Sequence, residues 1–292
     1  MSKKDNQHIA VLLTCHNRKE KTLNCLTSLY AAELPDGYDF EVYLVDDGCT
    51  DGTSDAVFIQ FPTINIIQGD GNLYWAGGMR LAWKTAMKKS NYDAFLLIND
   101  DVILCTDFLQ NIILTEKFSI ETTGVKGIYT GATRDKESEK ITYGGARIKS
   151  NHLIATFENL TPTQYPQPCD LANANILWVG KEVVNKIGIF DERFTHGIAD
   201  YDYSLTARKN DIPVFLAPNI CGVCADDHGN NWMSSEVPLK KRIIYLKSPT
   251  GLAYKEYLYY IRKHFPLFLP YSFILLWLKV IFPLVWERYK KK

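Results

Sequence analysis

Seven consecutive segments between residues 9 and 98 alternate short apolar runs with stretches of helical spacing. Residues 9–14, 40–45, 64–68 and 93–98 read as strands; residues 19–32, 51–61 and 77–89 read as helices. The spacing in the first helix is carried by Leu23, Leu26, Leu29 and Tyr30. A β-α-β-α-β-α-β order requires crossovers between parallel strands. The expected fold is therefore α/β: a Rossmann-like, mostly parallel central sheet flanked by helices.

The strand ends carry the informative polar residues. The fourth run, Phe95-Leu96-Leu97-Ile98, stops at Asn99-Asp100-Asp101, and the second stops at Asp46-Asp47-Gly48. Open α/β sheets place their ligands beyond the carboxyl ends of the strands. Two adjacent carboxylates there suit a hard divalent cation, because Mg²⁺ takes one or two protein oxygens and completes its shell with phosphate oxygens. A solvated turn accounts for either acidic pair alone. Both pairs at neighbouring strand ends argue for one crevice.

Three further clusters bear chemistry. Residues 69–80 crowd glycines around Tyr74 and Trp75 ahead of a helix. Glycines such as Gly77 permit close backbone approach to a ligand, and Arg80 suits a diphosphate. Trp75 either faces that ligand or packs on the sheet edge. In the second cluster, Asp200, Asp202 and Arg208 fall within about two helical turns of a helix predicted at 200–209. Asp200 at its start is either a cap or a general base for an attacking hydroxyl. The third is the loop Asp226-Asp227-His228-Gly229, where a neutral imidazole would complete a carboxylate and phosphate metal shell.

Beyond residue 124 the pattern loosens into short strands (124–129, 146–148), a helix at 181–187 and a strand at 213–217. Seven irregularly spaced cysteines fit reduced thiols, and the lone Cys221/Cys224 pair lacks the second pair a zinc site needs. The polar N-terminus has no signal-peptide core, which points to the cytosol. Net charge is zero, yet residues 236–292 hold 12 Lys/Arg against 3 Asp/Glu, while the remainder holds 21 against 30. Residues 265–286 are apolar and aromatic but are interrupted by Pro266, Pro270, Lys279 and Pro283, so a clean membrane span is not expected. Interfacial helices on an anionic lipid surface fit better, with packing on the body or on a second copy in a homodimer as the other covering.

Taken in order, these blocks resemble an inverting family 2 glycosyltransferase of the GT-A fold, nearest in pattern to bacterial rhamnosyl- and galactofuranosyltransferase-like enzymes. VLLTCHNR resembles the family's first strand, VDDGCTDGT its nucleotide turn, GDGNLYWAGGMR its Gly/Trp loop and INDD its DxD-type metal motif. FDERF…ADYDYSLTAR resembles the catalytic segment, DDHGN the late histidine and YLYYIRKH a Tyr-Tyr-x-x-Arg-Asn element. Together they span roughly residues 8–265. The resemblance implies a nucleotide-sugar donor held by Thr14, Arg18, Asp46, Asp47, Trp75, Gly77, Arg80, Asn99 and Asp100. It implies Mg²⁺ or Mn²⁺ on Asp101 and His228, Asp200 as catalytic base, and a role in building surface polysaccharide; the basic, aromatic tail points to a glycan or polyprenyl-linked acceptor at a membrane surface. Ala199 stands where the family often has Glu, Arg80 where Asn is frequent, and His264 where Asn follows the arginine.

The expected division is a catalytic domain over 1–235 and a basic, aromatic helical extension over 236–292, peripheral on the inner face of the plasma membrane. No nucleic-acid partner is expected. A sugar nucleotidyltransferase would carry a Gly-rich, Arg/Lys-bearing loop after the first strand, where this chain has Cys15-His16-Asn17-Arg18. A dehydrogenase would carry GxGxxG there. An inactive, membrane-attached glycan-binding scaffold would be expected to lose an acidic position, and Asp46, Asp100, Asp101 and Asp200 are all present.

Overall fold

Buried on both faces, a central parallel strand reads as a continuous apolar run, and the first strand follows that rule. In the computed structural model, which describes residues 6–151, 154–225 and 234–284, β1 (Gln7–Cys15) alternates its side chains between two cores. Ala10 and Leu12 face one; Ile9, Val11 and Leu13 face the other. The expected series then appears in order: α1 (Lys19–Ala31), β2 (Tyr38–Asp46), α2 (Thr53–Gln60), β3 (Asn65–Gln68), α3 (Tyr74–Lys89) and β4 (Ala94–Ile98). All pairings among these four strands are parallel. Met79 and Trp83 of α3 fill the first core, whereas Leu26 of α1 and Val57 of α2 fill the second.

The second half adds β5 (Ile103–Leu104), α4 (Phe108–Thr123), β6 (Ile128–Arg134), β7 (Ile141–Tyr143), β8 (Gly145–Asn151), β9 (Ile154–Asn159), β10 (Gln167–Pro168), β11 (Leu171–Ala172) and β12 (Ile176–Gly180). After them come α5 (Lys181–Ile187), α6 (Ala199–Lys209) and β13 (Val214–Val223). The main sheet runs β10-β13-β6-β12-β4-β1-β2-β3, and β11-β8-β9 form a small second sheet. The main sheet is thus mixed. β12 lies antiparallel between β4 and β6, with Ile176 opposite Ile98. That register matters, because the residues entering β12 stand beside those leaving β4.

Several boundaries differ from the sequence reading. The strand expected at 124–129 begins at Ile128, because Gly124, at φ 78°, ends α4 in the left-handed conformation. The strand expected at 213–217 continues to Val223 through a bulged pairing with β6. All seven cysteines are free.

At the C-terminal end, α7 (Leu239–Lys247), α8 (Tyr254–His264), a 3₁₀ turn (Pro266–Phe268) and α9 (Leu269–Ile281) follow one another. Leu246, Leu276 and Val280 form their shared core. Tyr260 and Ile261 of α8 nevertheless belong to the main core, so this helix is built into the body. Among the described residues no helix is long and apolar enough to cross a membrane.

Candidate active site

Three turns meet beyond the carboxyl ends of β1, β2 and β4. The first two are stitched together: the Asn17 side-chain oxygen accepts the Thr50 N–H at 2.7 Å, and Asn17 N–H reaches Cys49 Sγ at 3.2 Å. Asp46 accepts the Cys49 N–H at 2.6 Å and the Ser54 hydroxyl, so it shapes its own turn. Asp47 reaches outward. Its carboxylate accepts three backbone N–H groups, from Gly71 at 2.8 Å and from Leu73 and Tyr74 at 3.0 Å each. It therefore fixes the start of α3, where unpaired N–H groups favour an anion.

Two glycines permit this packing. Gly48 has φ 73°, and a Cβ there would lie 2.9 Å from Gly71 Cα. A Cβ on Gly78 would lie 2.1 Å from Thr14 Oγ1, so α3 rests directly against the end of β1. Gly77 is buried in the same first turn.

At the tip of β4, Asp100 is buried and Asp101 lies beside it. Arg18 Nη1 reaches Asp101 at 2.9 Å and Asp100 at 3.4 Å; Lys21 Nζ stands 3.6 Å from Asp101. Burial pushes the Asp100 carboxyl up to about 7; Arg18 opposes that rise and Asp101 reinforces it. Arg18 and Lys21 are long side chains, each about half exposed. Adjacent carboxylates at a strand end, one of them buried, fit a hard divalent cation whose remaining ligands come from a diphosphate. Among the described residues no three His, Cys, Asp or Glu side chains cluster as a metal shell; His228 lies outside the described residues.

A polar chain runs from this tip to the Gly/Trp loop. Trp75 Nε1 donates to Asn99 Oδ1 at 2.7 Å, Asn99 Nδ2 to Asn175 Oδ1 at 2.9 Å, and Asn175 Nδ2 to Cys224 Sγ at 3.4 Å. Cys224 Sγ is in turn 3.7 Å from Asp101 Oδ1. The Asn99 N–H also donates to the Asn175 carbonyl at 3.2 Å. One residue earlier, Ala174 N–H donates to Asp200 Oδ2 at 3.1 Å. Residues 173–175 thus touch both the end of β4 and the buried carboxylate at the start of α6. The sequence reading did not single out Asn175. Its available signal was the apolar run 176–179, a buried strand whose entry falls on a polar pair.

Other residues that looked chemical are held by the protein. Arg80 donates to the carbonyls of Phe194 at 2.6 Å and Asp191 at 3.2 Å, bracing the loop before α6. Asp202 faces α8, pairing with Lys263 Nζ and His264 Nε2 at 2.7 Å each. Arg208 pairs with Asp170 at 2.5 Å, far along α6 from Asp200. A cleft of about 620 Å³ bounded by Asp170, Arg208 and Phe215 opens where β13 begins, at the opposite end of the sheet from these turns.

A helix-flanked sheet with a parallel first half, turns stitched at its carboxyl edge and an acidic pair on β4 is a GT-A-like α/β fold. Residues 10–150, just under half of the chain, match the family model of Glycosyl transferase family 2. Many solved structures share the fold, among them two that hold a nucleotide or nucleotide sugar and Mn²⁺. One is the mannosyltransferase PcManGT from Pyrobaculum calidifontis in complex with GDP-Man and Mn²⁺; it is 15% identical with TM-score 0.53, over 91% of this chain and 73% of that one. The other is GalNAc-T7 with UDP, GalNAc and Mn²⁺, 12% identical with TM-score 0.57, over 84% of this chain and about half (48%) of that one. No curated protein matches the chain. Neither structure is a rhamnosyl- or galactofuranosyltransferase, so that narrower resemblance stays a proposal.

Proposed function

We propose that this chain moves one sugar from a nucleotide-diphosphate donor, dTDP-rhamnose or a UDP-sugar, to a hydroxyl of a glycan or polyprenyl-linked acceptor at the inner face of the plasma membrane, inverting the anomeric configuration. The observation that carries this reading is the segment 173–175, which hydrogen-bonds Asp200 on one side and Asn99, next to Asp100 and Asp101, on the other. A base and a diphosphate-holding pair need that proximity.

Asp200 takes the proton of the acceptor hydroxyl as the hydroxyl attacks the sugar. A single displacement on the face opposite the leaving group needs no enzyme nucleophile. Arg18 stabilises the charge that grows on the departing diphosphate, and Thr14, Asp46, Asp47 and Trp75 bound the nucleoside. Asp101, with Asp100 beside it and His228 from its loop, would hold Mg²⁺ or Mn²⁺. A divalent ion there supplies Lewis-acid stabilisation of diphosphate oxygens.

The membrane part of the reading is supported by the tail. Phe273, Ile274, Leu278 and Ile281 of α9 are exposed, on a segment with an excess of Lys and Arg. An apolar helix face flanked by bases suits an anionic lipid surface, where a polyprenyl-linked acceptor is presented.

The test is release of nucleotide diphosphate with dTDP-rhamnose, UDP-galactofuranose, UDP-galactose and UDP-glucose in turn. Asp200→Asn should leave donor binding nearly intact and lower turnover by about 10²-fold or more, the scale of general-base catalysis. Near-wild-type turnover in that variant removes the base assignment.

A further inference from the structure

The turn that delivers Asp200 is conformationally strained. Ile198, two residues earlier, sits at φ 69° and ψ −14°, a left-handed conformation strongly disfavoured for a β-branched side chain. Such a residue persists only where its surroundings over-determine it.

Helix α8 grips the chain on both sides of this turn. Upstream, Glu256 accepts the Thr195 N–H at 2.8 Å with one carboxylate oxygen and the Thr195 hydroxyl with the other. Downstream, Asp202 is held by Lys263 and His264. The Thr195 carbonyl accepts the Ala76 N–H of α3 at 3.1 Å. The loop is therefore pinned between the first turn of α3 and α8, with the strained residue between the two grips. Two oxygens engaged by one residue fix orientation as well as distance, which a single apolar contact does not.

We propose that Glu256 is a positioning residue: through Thr195 it keeps the Ile198 turn closed and so sets the direction in which Asp200 points. This rests on the reading of Asp200 as the base. The influence of Glu256 reaches the reaction only through the loop. Misplacing a catalytic group by about 1 Å lowers a rate by as much as 10²-fold.

The experiment compares the full-length variants Glu256→Ala, Glu256→Gln and Asp200→Asn by steady-state kinetics with varied donor. Glu256→Ala should lower kcat by about 10- to 100-fold while donor KM stays within about threefold. Glu256→Gln should remain within about threefold of wild type, because its carbonyl can accept from the Thr195 N–H and its amide can donate to the hydroxyl oxygen. Adding Ile198→Asn to Glu256→Ala should recover at least about threefold of the loss, since Asn tolerates the left-handed region. Should Glu256→Ala fail to fold, Thr195→Val deletes one of the two contacts and should lower kcat by roughly three- to tenfold.

An inactive Asp200→Asn beside a fully active Glu256→Ala overturns the positioning role alone. Equal impairment of the Ala and Gln variants, or a loss confined to donor KM, overturns it as well. An active Asp200→Asn removes the base and this inference together.

Discussion

The indole N–H of Trp75 and the side-chain oxygen of Asn99 lie 2.7 Å apart and join the Gly/Trp loop to the tip of β4. Trp75 also packs against Phe190, ring centroids 5.6 Å apart. The residue is therefore neither a plain edge-packing tryptophan nor a free stacking platform. Trp75→Phe keeps the packing and removes the hydrogen bond. A net loss of about 1 kcal/mol corresponds to roughly a fivefold rise in donor KM, with kcat less affected. Titration with donor nucleotide reads the same change without turnover. An unaltered affinity would show that the bond only organises the core.

Asp47 carries the heaviest structural duty in the crevice. Three N–H groups converge on a buried carboxylate, and Asp47→Asn replaces one acceptor oxygen with a donor amide facing donors. The loss should be about 2–4 kcal/mol, since hydrogen bonds to charged groups contribute about 1.5–3 kcal/mol each. Urea unfolding should show a lower midpoint with an unchanged slope. Donor affinity should fall too, because the loop from Gly71 to Tyr74 loses its anchor.

Asp100 gives a pH dependence whose sign is fixed. Its carboxyl is raised in the folded protein to about 7 from an ordinary value of 3.8, so the folded state binds this proton more tightly than the unfolded state does. That contribution to stability is complete below pH 4 and is lost as pH rises through 7. In chelator-treated protein, thermal unfolding at pH 8 should therefore come earlier than at pH 6. Asp100→Asn should flatten this dependence and raise the melting temperature at pH 8 by roughly 2–4 °C, the effect of about 1 kcal/mol in a domain of this size. A variant as pH-sensitive as the parent would show that another group dominates.

The first half of the fold was legible because β1 and β4 are buried apolar runs ending in polar turns, and α1 and α3 carry buried apolar residues at helical spacing. Helix α4 was not legible. Its stretch from Phe108 to Thr123 mixes β-branched residues with Ser and Thr, and none of the motifs falls on it. At the site, residue type located the acidic turns correctly at the carboxyl ends of β2 and β4 but did not reveal which polar groups face protein. Arg80, Asp202 and Arg208 have the chemistry of ligand binding, and their partners are backbone carbonyls or side chains far along the chain. Asn175 is the converse. Its contact with Asn99 spans 76 residues of sequence and depends on the antiparallel entry of β12, which no local pattern encodes. Glu256 was invisible for the same reason.

The outward face of α9 provides the sharpest test of the membrane reading. Ile274 and Leu278 lie one helical turn apart and are both exposed, whereas Leu276 and Val280 are buried against α7 and α8. Ile274→Asp with Leu278→Asp should therefore spare the fold and leave turnover of a water-soluble acceptor unchanged. Each buried methylene contributes about 0.8 kcal/mol to interfacial binding, so partitioning onto phosphatidylglycerol vesicles should fall by at least about tenfold. Wild-type binding should also weaken with added salt, because attraction of the basic segment to anionic lipid is screened beyond about 10 Å at 0.1 M. Equal partitioning of the double variant and the wild type would mean that this face is covered by something other than lipid, and sedimentation of the wild-type protein as a dimer that the double variant cannot form would identify the cover as a second copy.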